Sequence, residues 1–597
     1  MSLAITPGIN YDPINLIKLI FLATIGISCL GILFGEFKSG IASLPKVFLF
    51  AIGAFVLSLF ISLAFSGAPI SQQIWGSFGR NTGLLTYISL VGILLAATSI
   101  RSKSFSEKLI WSLLITNVPM VIYCLIQIAN LDPVGWSSFA PFGTLGNVNF
   151  LSAFLGMCST ASSLLIFRDS LELNRRLWLI LLTLVNLFVI VQTDSIQGLI
   201  VFAAGLSVGG FFLVRNFSKN SGPLFVSTYL VGIFGMGILF AMALFNQGPL
   251  ARIIYQQTFI FRLDYMRAAV EMMKERPLTG VGLDSYGDWY RSSRDIFGAF
   301  RTSLNRTSNT AHNIFLDVGS NAGVLGLVSY VAFIVFVGIY SLRKLFSAVE
   351  LDIFYLALFS AWIGYLVQSL ASINQIGVGI WGWLFSGALL SHAMISSEGD
   401  KSDFKVTIKK KKQSPNQLKP LSAVLGFIGM VLGFSLSAIP AYADIKFQDG
   451  NATLNLTTLM DASKLPGATA IHLGKTVEIA NSNQYLFQAK EINDLLIKQY
   501  PREIFGWTIR RSLDNPSAEV YNAATKQLEE LDPFASFCLK PDSTTQLFQL
   551  FQKLTPDGQA EIIKYWNLPS GALPNPALPF SQLTTQLQTQ LGNFCQQ

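Results

Sequence analysis

The stretch "SNTAHNIFLDVGSNAGVLG", from Ser308 to Gly326, passes from a polar, arginine-containing segment into a strongly apolar one. The same change recurs along the chain, where apolar blocks alternate with polar loops. About 20 apolar residues in a helix are enough to cross a bilayer of about 30 Å. The stretch also contains His312, one of only three histidines in 597 residues. A rare titratable side chain therefore lies at the N-terminal end of a predicted membrane helix.

The composition indicates a membrane protein. Hydrophobic residues make up 51% of the chain and charged residues only 13%, whereas a soluble domain carries about 25% charged residues. The formal net charge of +8 does not indicate nucleic-acid binding, because much of it lies in short loops where lysine and arginine set topology. We predict an all-α, polytopic membrane protein without a nucleic-acid partner.

The apolar blocks predict about twelve transmembrane helices. We place them near residues 14–34, 47–65, 84–100, 109–129, 149–167, 177–193, 197–214, 223–245, 313–340, 352–371, 377–395 and 421–440.

Basic residues concentrate in the odd-numbered loops between these spans. Because cytoplasmic loops carry an excess of lysine and arginine, those loops are predicted to be cytoplasmic and both termini to lie outside. Lys18, within the first span, is an exception that we expect to reach the outer interface. The basic loop residues are Lys38, Lys46, Arg101, Lys103, Lys108, Arg168, Arg175, Arg176, Arg215, Lys219, Arg343, Lys344 and Lys409 to Lys412.

The loop 246–312 is the longest even-numbered loop, and it is also basic. A long segment translocates largely regardless of its charge, so these residues do not contradict the topology. They either pair with acidic neighbours such as Asp264, Asp284 and Asp288 or bind an anionic ligand. Asp284 and Asp288 are expected to be solvated loop residues. Residues 262–275 have the periodicity of an amphipathic helix lying on the outer surface of the bilayer. The basic residues are Arg252, Arg262, Arg267, Lys274, Arg276, Arg291, Arg294, Arg301 and Arg306.

Residues 441–597 are predicted to form a second, extracytoplasmic domain, following a membrane domain of residues 1–440. Apolar residues recur there at helical spacing. Prolines at Pro466, Pro501 and Pro533 are separated by nearly the 34-residue tetratricopeptide period. We predict a helical, tetratricopeptide-like domain, in which a disulfide between Cys538 and Cys595 is one possibility in an oxidising compartment.

Several polar side chains stand at the predicted outer ends of the spans. Arg80 begins the third span, Asn147 and Asn149 begin the fifth, Gln197 follows a tight turn, and Asn313 stands beside His312. Each has an ordinary explanation as an interfacial anchor, a helix cap or a turn residue. Together they could instead line a polar ligand site. The isolated histidines His392 and His472 are assigned ordinary hydrogen-bonded roles.

Four segments together resemble the O-antigen ligase and polymerase superfamily of bacterial membrane glycosyltransferases. They are "WGSFGRNTGLLTY", "GTLGNVNFLSAF", "RLDYMRAAVEMMKERPLTGVGLDSY" and "AHNIFLDVGSNAGVLGL", and the resemblance covers roughly residues 70–395. In the last segment the family pattern falls on His312, Asn313, Leu316, Gly323 and Gly326. The tetratricopeptide-like tail is similar to an extension that some members carry. One departure is Gln197, which stands in "SIQG" where members often have an arginine.

The resemblance implies an enzyme of the bacterial inner membrane, with its donor glycan linked to a polyprenyl pyrophosphate on the outer leaflet. It implies transfer to an acceptor hydroxyl of a glycan, a lipid or a protein. Attack opposite the pyrophosphate would invert the anomeric configuration, and the resemblance implies that neither a metal nor another cofactor takes part. The helical outer domain would bind an acceptor or a partner protein.

The chemistry of that reaction suggests roles for the polar residues. Arginine binds pyrophosphate oxygens bidentately and stays charged at any relevant pH, so Arg262 is the candidate catalytic cation, with Arg80 and Arg267 as further donor contacts. Histidine titrates near neutral pH, so His312 is the candidate base that takes the acceptor proton. The other candidate substrate-binding residues are Asn147, Asn149, Gln197 and Asn313.

Two other classes of protein fit the same topology. A transporter of small anions also has about twelve spans, but transporters usually keep their polar groups near the bilayer midplane, whereas these gather at one face. The other class is a non-catalytic scaffold whose outer domain binds a partner.

Overall fold

The computed structural model is entirely helical in the residues it describes, which are 1–37, 40–102, 104–136, 140–218, 223–302, 306–399, 419–513, 517–535 and 543–566. Within these ranges there are 24 α-helices, one short 3-10 helix and no strand. The predicted all-α class is therefore confirmed. Several residues considered above lie outside the described ranges, namely Lys38, Lys103, Lys219, Lys409 to Lys412, Cys538 and Cys595.

The first half of the chain folds into nine helices. They are α1 (Leu16–Gly35), α2 (Lys46–Phe65), α3 (Ile70–Trp75), α4 (Leu84–Ser99), α5 (Ser104–Ile128), α6 (Val148–Leu165), α7 (Leu173–Gln192), α8 (Gln197–Ser218) and α9 (Leu224–Leu244).

Four shorter helices occupy the long loop, and four long helices follow. The loop helices are α10 (Ala251–Ile254), α11 (Gln257–Glu275), α12 (Tyr286–Ser293) and α13 (Ile296–Thr302). The long helices are α14 (Ile314–Ser347), α15 (Ile353–Ser369), α16 (Ile376–Gly399) and α17 (Pro420–Thr453).

The helices agree with the predicted spans. Among the described residues ten helices are long and apolar enough to cross a membrane, and two shorter apolar helices, α4 and α15, fall at the third and tenth predicted spans. Helices α4, α6, α15 and α16 form the interior of the bundle, whereas α9 lies at the periphery with nearly all of its side chains exposed. An exposed helix this apolar is suited to lipid rather than to water.

Helix α14 is broken at Gly323, whose φ of 75° lies in the left-handed region. The segment 277–282 fills the break. Val281 N–H donates to the Ser320 carbonyl at 2.8 Å, and Val324 N–H donates to the Pro277 carbonyl at 2.8 Å. A Cβ at Gly323 would lie 2.6 Å from the Leu278 carbonyl oxygen, so only glycine fits there. The turn through Gly280 and Gly282 thus serves to join the long loop to α14.

Lys18 is fully buried in α1 and does not reach the outer interface as expected. Its ammonium group donates to the carbonyls of Ile14 at 2.8 Å and Thr144 at 2.7 Å. A buried ammonium group requires such partners, because an unpaired charge in an apolar interior is very costly. The lysine therefore ties the segment before α6, which contains Asn147, to the N-terminal helix.

Helix α17 extends beyond its apolar part, through Pro440 to Thr453. The predicted domain boundary at residue 440 thus falls inside one continuous helix. Asp444 on this extension accepts hydrogen bonds from Asn10 Nδ2 at 3.2 Å, from the Asp12 backbone at 3.1 Å and from His472 Nε2 at 3.0 Å. His472 therefore has the ordinary hydrogen-bonded role predicted for it, and His392 likewise contacts Ser106 Oγ at 3.1 Å.

The C-terminal unit consists of short helices, of which α18 to α22 pack as consecutive neighbours, whereas α24 packs against α13 of the long loop. Such helical pairs fit the predicted helical domain, and the tetratricopeptide assignment stays a prediction. The helices are α18 (Leu456–Ser463), α19 (Ala470–Ser482), α20 (Leu486–Gln499), α21 (Ile504–Ser512), α22 (Ala518–Leu531), α23 (Ser543–Gln552) and α24 (Pro556–Tyr565).

Helices α1 and α17 pack closely through glycines, which yields a test of the fold. A Cβ at Gly433 would overlap the Ala23 carbonyl oxygen, whereas nothing lies within 4 Å of a Cβ at Gly232 on α9. Gly433→Leu should destabilise the protein by about 1–3 kcal/mol through overpacking and lower the unfolding temperature in detergent. Gly232→Leu is the matched control and should not lower it. Equal unfolding temperatures for both variants would contradict this packing.

Candidate functional site

Arg80 is buried between two aspartates. Its Nε lies 3.2 Å from Asp284 Oδ1, and its Nη2 lies 2.8 Å from Asp317 Oδ2. Its Nη1 donates to the Asn309 carbonyl. The interaction corrects two expectations: Asp284 is not a solvated loop residue, and Asp317, which no motif assigned, is an ion-pair partner. It also revises the role of Arg80. Two carboxylates neutralise the charge of its guanidinium group, so Arg80 holds the elements of the site together rather than binding the donor.

The Arg80 group fixes the turn that carries His312. Ala311 N–H donates to Asp317 Oδ1 at 3.1 Å, and His312 N–H donates to Thr310 Oγ1 at 3.0 Å. Asn313 caps α14 by accepting from the backbone N–H groups of the next turn at 3.0 and 3.1 Å. His312 itself has a φ of 52°, which is unusual for a residue with a side chain. Such strain persists only where the surroundings impose it, and it is concentrated at functional sites.

The His312 ring lies beside aromatic and cationic groups. Its centroid is 5.3 Å from that of Tyr265 on α11. Among the described residues, none donates to or accepts from the ring nitrogens in a hydrogen bond. Burial, followed by the charges of Arg262 and Arg80, lowers the pKa of His312 to about 3. The imidazole is therefore neutral near pH 7 and has a lone pair for a proton.

Arg262 and Arg306 are cations without a carboxylate partner among the described residues. Arg262 Nη1 donates to the Ala371 carbonyl at 2.9 Å, and burial lowers the pKa of this arginine. The Arg306 guanidinium lies 4.2 Å from the centroid of the Phe261 ring, and Arg306 partly opposes the rise that burial causes in the pKa of Tyr265. Two uncompensated arginines thus adjoin the tyrosine that stacks on His312.

Most other arginines of the long loop are paired. Arg301 binds Asp264, and its Nη1 lies 2.9 Å from Glu561 Oε1. Arg291 and Arg294 lie 3.1 and 2.9 Å from the carboxylate of Asp532. Pairing therefore explains these residues, whereas Arg252, Arg262, Arg276 and Arg306 have no carboxylate within ion-pair distance among the described residues. Arg276 donates to the Ser66 carbonyl at 2.8 Å and lies over the Trp289 ring, and Arg262 and Arg306 adjoin Tyr265.

Arg267 belongs with the paired arginines. Its side chain is 54% exposed, and its Nη1 lies 3.4 Å from Asp264 Oδ1 and 3.9 Å from Asp295 Oδ2. Since both neighbours are acidic, they largely neutralise the charge of Arg267. Arg267 is therefore a weaker candidate for donor binding than Arg306.

The remaining predicted residues stand at the same end of the bundle. Asn313 Nδ2 donates to the Leu370 carbonyl at 3.1 Å, beside the Ala371 carbonyl that binds Arg262. Just before these, Gln368 Oε1 accepts from Gln197 Nε2 at 3.2 Å. The end of α15 therefore brings Gln197 towards Asn313 and Arg262. The Oε1 atom of Gln197 is buried without a hydrogen-bond partner.

Asn147 and Asn149 are engaged in local structure. Asn147 caps α6 by accepting from Asn149 N–H at 2.8 Å, and Asn149 Oδ1 accepts from Ser195 Oγ at 2.8 Å. These bonds link the start of α6 to the tight turn before α8. The structure does not bring either asparagine into contact with His312.

The fold is that of an all-helical, multi-pass membrane protein. Residues 178–331 match the family model described as O-antigen ligase, which confirms the resemblance to the O-antigen ligase and polymerase superfamily. The match contains Gln197, Arg262, Arg267, His312 and Asn313, and it supports O-antigen-ligase-like glycan transfer as the class of activity. The C-terminal helical unit lies outside the matched residues. No curated protein matches the chain.

The contrast between paired and unpaired arginines gives a stability test. Arg80→Ala leaves two buried carboxylates without their cation, which typically costs about 3–5 kcal/mol. Arg262→Ala breaks no ion pair, so its effect on the unfolding temperature should be much smaller. Thermal unfolding of the two variants in the same detergent measures the difference. Equal destabilisation would show that Arg80 does not have the framing role.

Proposed function

We propose that the protein transfers a glycan from a polyprenyl pyrophosphate to an acceptor hydroxyl at the end of the bundle that carries His312. The observation that carries this proposal is the grouping of Arg262 and Arg306, which have no carboxylate partner in the part of the chain that the structure describes, around Tyr265 and a neutral His312. Cations suit a leaving pyrophosphate, and a neutral imidazole suits a hydroxyl that must lose its proton.

The charge that develops on the leaving group explains why arginines are needed at the site. As the bond between the anomeric carbon and the pyrophosphate oxygen breaks, negative charge grows on that oxygen. Preorganised cations placed where charge develops are often the largest catalytic contribution. Arg262 is the first candidate for this role. Arg306 is a second cation, which offsets the absence of an arginine at position 197. Gln197 Oε1, which is buried without a partner among the described residues, would accept a hydrogen bond from the substrate.

The acceptor hydroxyl must lose its proton, which explains the need for a histidine. The hydroxyl oxygen forms the new bond to the anomeric carbon, and its proton passes to His312. Attack from the side opposite the pyrophosphate inverts the configuration. This chemistry is the same whether a glycan, a lipid or a protein carries the hydroxyl.

Donor binding would prepare His312 for that proton. With a pKa of about 3, the imidazole is a weak base in the free protein. An anion placed beside Arg262 offsets the charge that repels an imidazolium ion, so it raises the pKa of His312 towards the ordinary value. The base therefore becomes stronger when the donor is present.

The same proposal includes the orientation in the membrane. Arg168 lies in the loop after α6, Arg175 near the start of α7 and Arg343 near the end of α14, which are the helix ends opposite the Ser195 turn and the His312 turn. Because cytoplasmic loops are enriched in lysine and arginine, His312 and the C-terminal unit would face outwards. In a bacterium this site would use donors on the outer leaflet of the inner membrane.

Activity variants test the assigned roles. With a polyprenyl-pyrophosphate glycan and an acceptor, His312→Ala should reduce release of the carrier pyrophosphate by about 10²–10⁴-fold, and Arg262→Ala by about 10²–10³-fold. Arg175→Ala, at an exposed position on the opposite end, is the control and should retain full activity. Unchanged release by both site variants would rule out this assignment.

The pH dependence tests the electrostatic coupling. Arg262 lowers the pKa of His312, so Arg262→Gln should raise it. The free wild-type enzyme should therefore show no loss of kcat/KM through protonation of His312 between pH 5 and pH 8. The residual activity of Arg262→Gln should decline at a higher pH than that of the wild type, whereas Arg175→Gln should follow the wild-type profile. An acid limb near pH 6.5 in the wild type would contradict the coupling.

A further inference from the structure

Besides the ion pairs of Asp532 and Glu561, the C-terminal unit contacts the long loop through one arginine and one tryptophan. The Arg502 guanidinium lies 3.6 Å from the centroid of the Trp289 ring, and its Nε and Nη2 donate to the Asp288 carbonyl at 3.0 Å and to Ser292 Oγ at 2.8 Å. Beside this contact, a cavity of about 160 Å³ remains between α3, α12 and α19. We call it the junction cavity.

The junction cavity contains polar groups that no protein group satisfies. Asn81 is only 6% exposed, and its Oδ1 has no hydrogen-bond partner. Ser77 Oγ is also buried and unpartnered. Buried polar atoms without partners are rare in folded proteins and call for a specific explanation. Both residues line the same cavity. Neighbouring atoms cover both oxygens, so a ligand in the cavity would become their hydrogen-bond partner through a rotation of either side chain.

Two carboxyl groups and aromatic rings complete the lining. Asp288 accepts from Gln72 Nε2 at 2.8 Å, and Glu503 accepts from the Phe505 N–H at 3.3 Å. Burial, and then the nearby charge of Glu503, raises the pKa of Asp288 to about 7. Near neutral pH this carboxyl group can donate as well as accept. Trp75 and Phe78 provide apolar faces in the same wall.

This lining selects one kind of ligand. Among the described residues that line the cavity there is no arginine, lysine or histidine, so a pyrophosphate finds no cationic side chain there. Hydroxyl groups match the unpartnered oxygens and the carboxyl groups, and the apolar C–H face of a sugar matches the aromatic rings. Pockets for drug-sized ligands measure about 300–1,000 Å³, so a cavity of about 160 Å³ suits a single ring.

We propose that the junction cavity binds one sugar residue of the glycan that the protein handles. Asn309 lines the cavity and belongs to the turn that carries His312, and its carbonyl binds Arg80. A glycan held here is therefore anchored to the element that positions the candidate base. The proposal rests on the proposed function and adds a sugar subsite built jointly by the membrane helices and the C-terminal unit.

A binding experiment on the full-length chain tests this subsite. The probe is the envelope glycan of the source strain, released by mild acid and cut to short oligosaccharides. The host is the His312→Ala chain in lipid nanodiscs, in which the probe is not consumed, and the measurement is calorimetric. Ile471→Trp narrows the cavity from a half-exposed position on α19. Asn481→Trp, exposed on the same helix away from the cavity, is the matched control.

The expected result is oligosaccharide binding that Ile471→Trp weakens at least tenfold and that Asn481→Trp leaves unchanged. Ser77→Ala breaks no hydrogen bond of the protein, so it should fold normally and weaken binding about threefold or more. No binding to the parent chain, or equal binding to both tryptophan variants, would mean that the cavity holds water only. Release of carrier pyrophosphate is measured separately on the chain with His312 intact. Loss of the subsite and loss of the proposed function are therefore distinguishable.

Discussion

The ion pairs of Arg80 with Asp284 and Asp317 are the interaction on which the candidate site depends. They join the segment just before α4, the turn that follows residues 277–282 and the first turn of α14. Because the three side chains are buried, each charge requires the others, and no local rearrangement relieves the loss of one. Asp317 also holds the Ala311 backbone. These contacts therefore hold His312 in its left-handed backbone conformation and fix the capped N-terminal end of α14.

The arginines of the site and the long loop fall into two groups, according to whether a carboxylate pairs with them. Arg80, Arg291, Arg294 and Arg301 are compensated by buried carboxylates and hold the long loop and the C-terminal unit in place. Arg262 and Arg306 contact carbonyl and aromatic groups instead. A cation that lacks an anion among the described residues is available to one from outside the protein. Burial and then the charge of Arg262 lower the pKa of His312, so anion binding at Arg262 and proton acceptance by His312 are electrostatically coupled.

Much of the fold could be predicted from the sequence, because apolar length and helical periodicity are local properties. All twelve predicted spans correspond to apolar helices, and the caps at Asn147 and Asn313 follow from residue type. The frame of the site could not be predicted in this way. Arg80 and Asp317 are 237 positions apart, and nothing in the spacing of either residue indicates the other. The role of Gly323 was equally hidden, since small residues at helical spacing predict close packing rather than a broken helix.

The protonation state of His312 tests the central claim most directly, and the chain has only three histidines. The imidazole ¹⁵N shifts can be recorded in nanodiscs from pH 4 to pH 8, with His312→Gln to assign the signal. We predict a neutral ring across this range in the free protein and a measurably higher pKa when polyprenyl pyrophosphate is added. An ordinary titration near pH 6.5 that the carrier leaves unchanged would contradict the account, because His312 would then sense neither Arg262 nor a bound pyrophosphate.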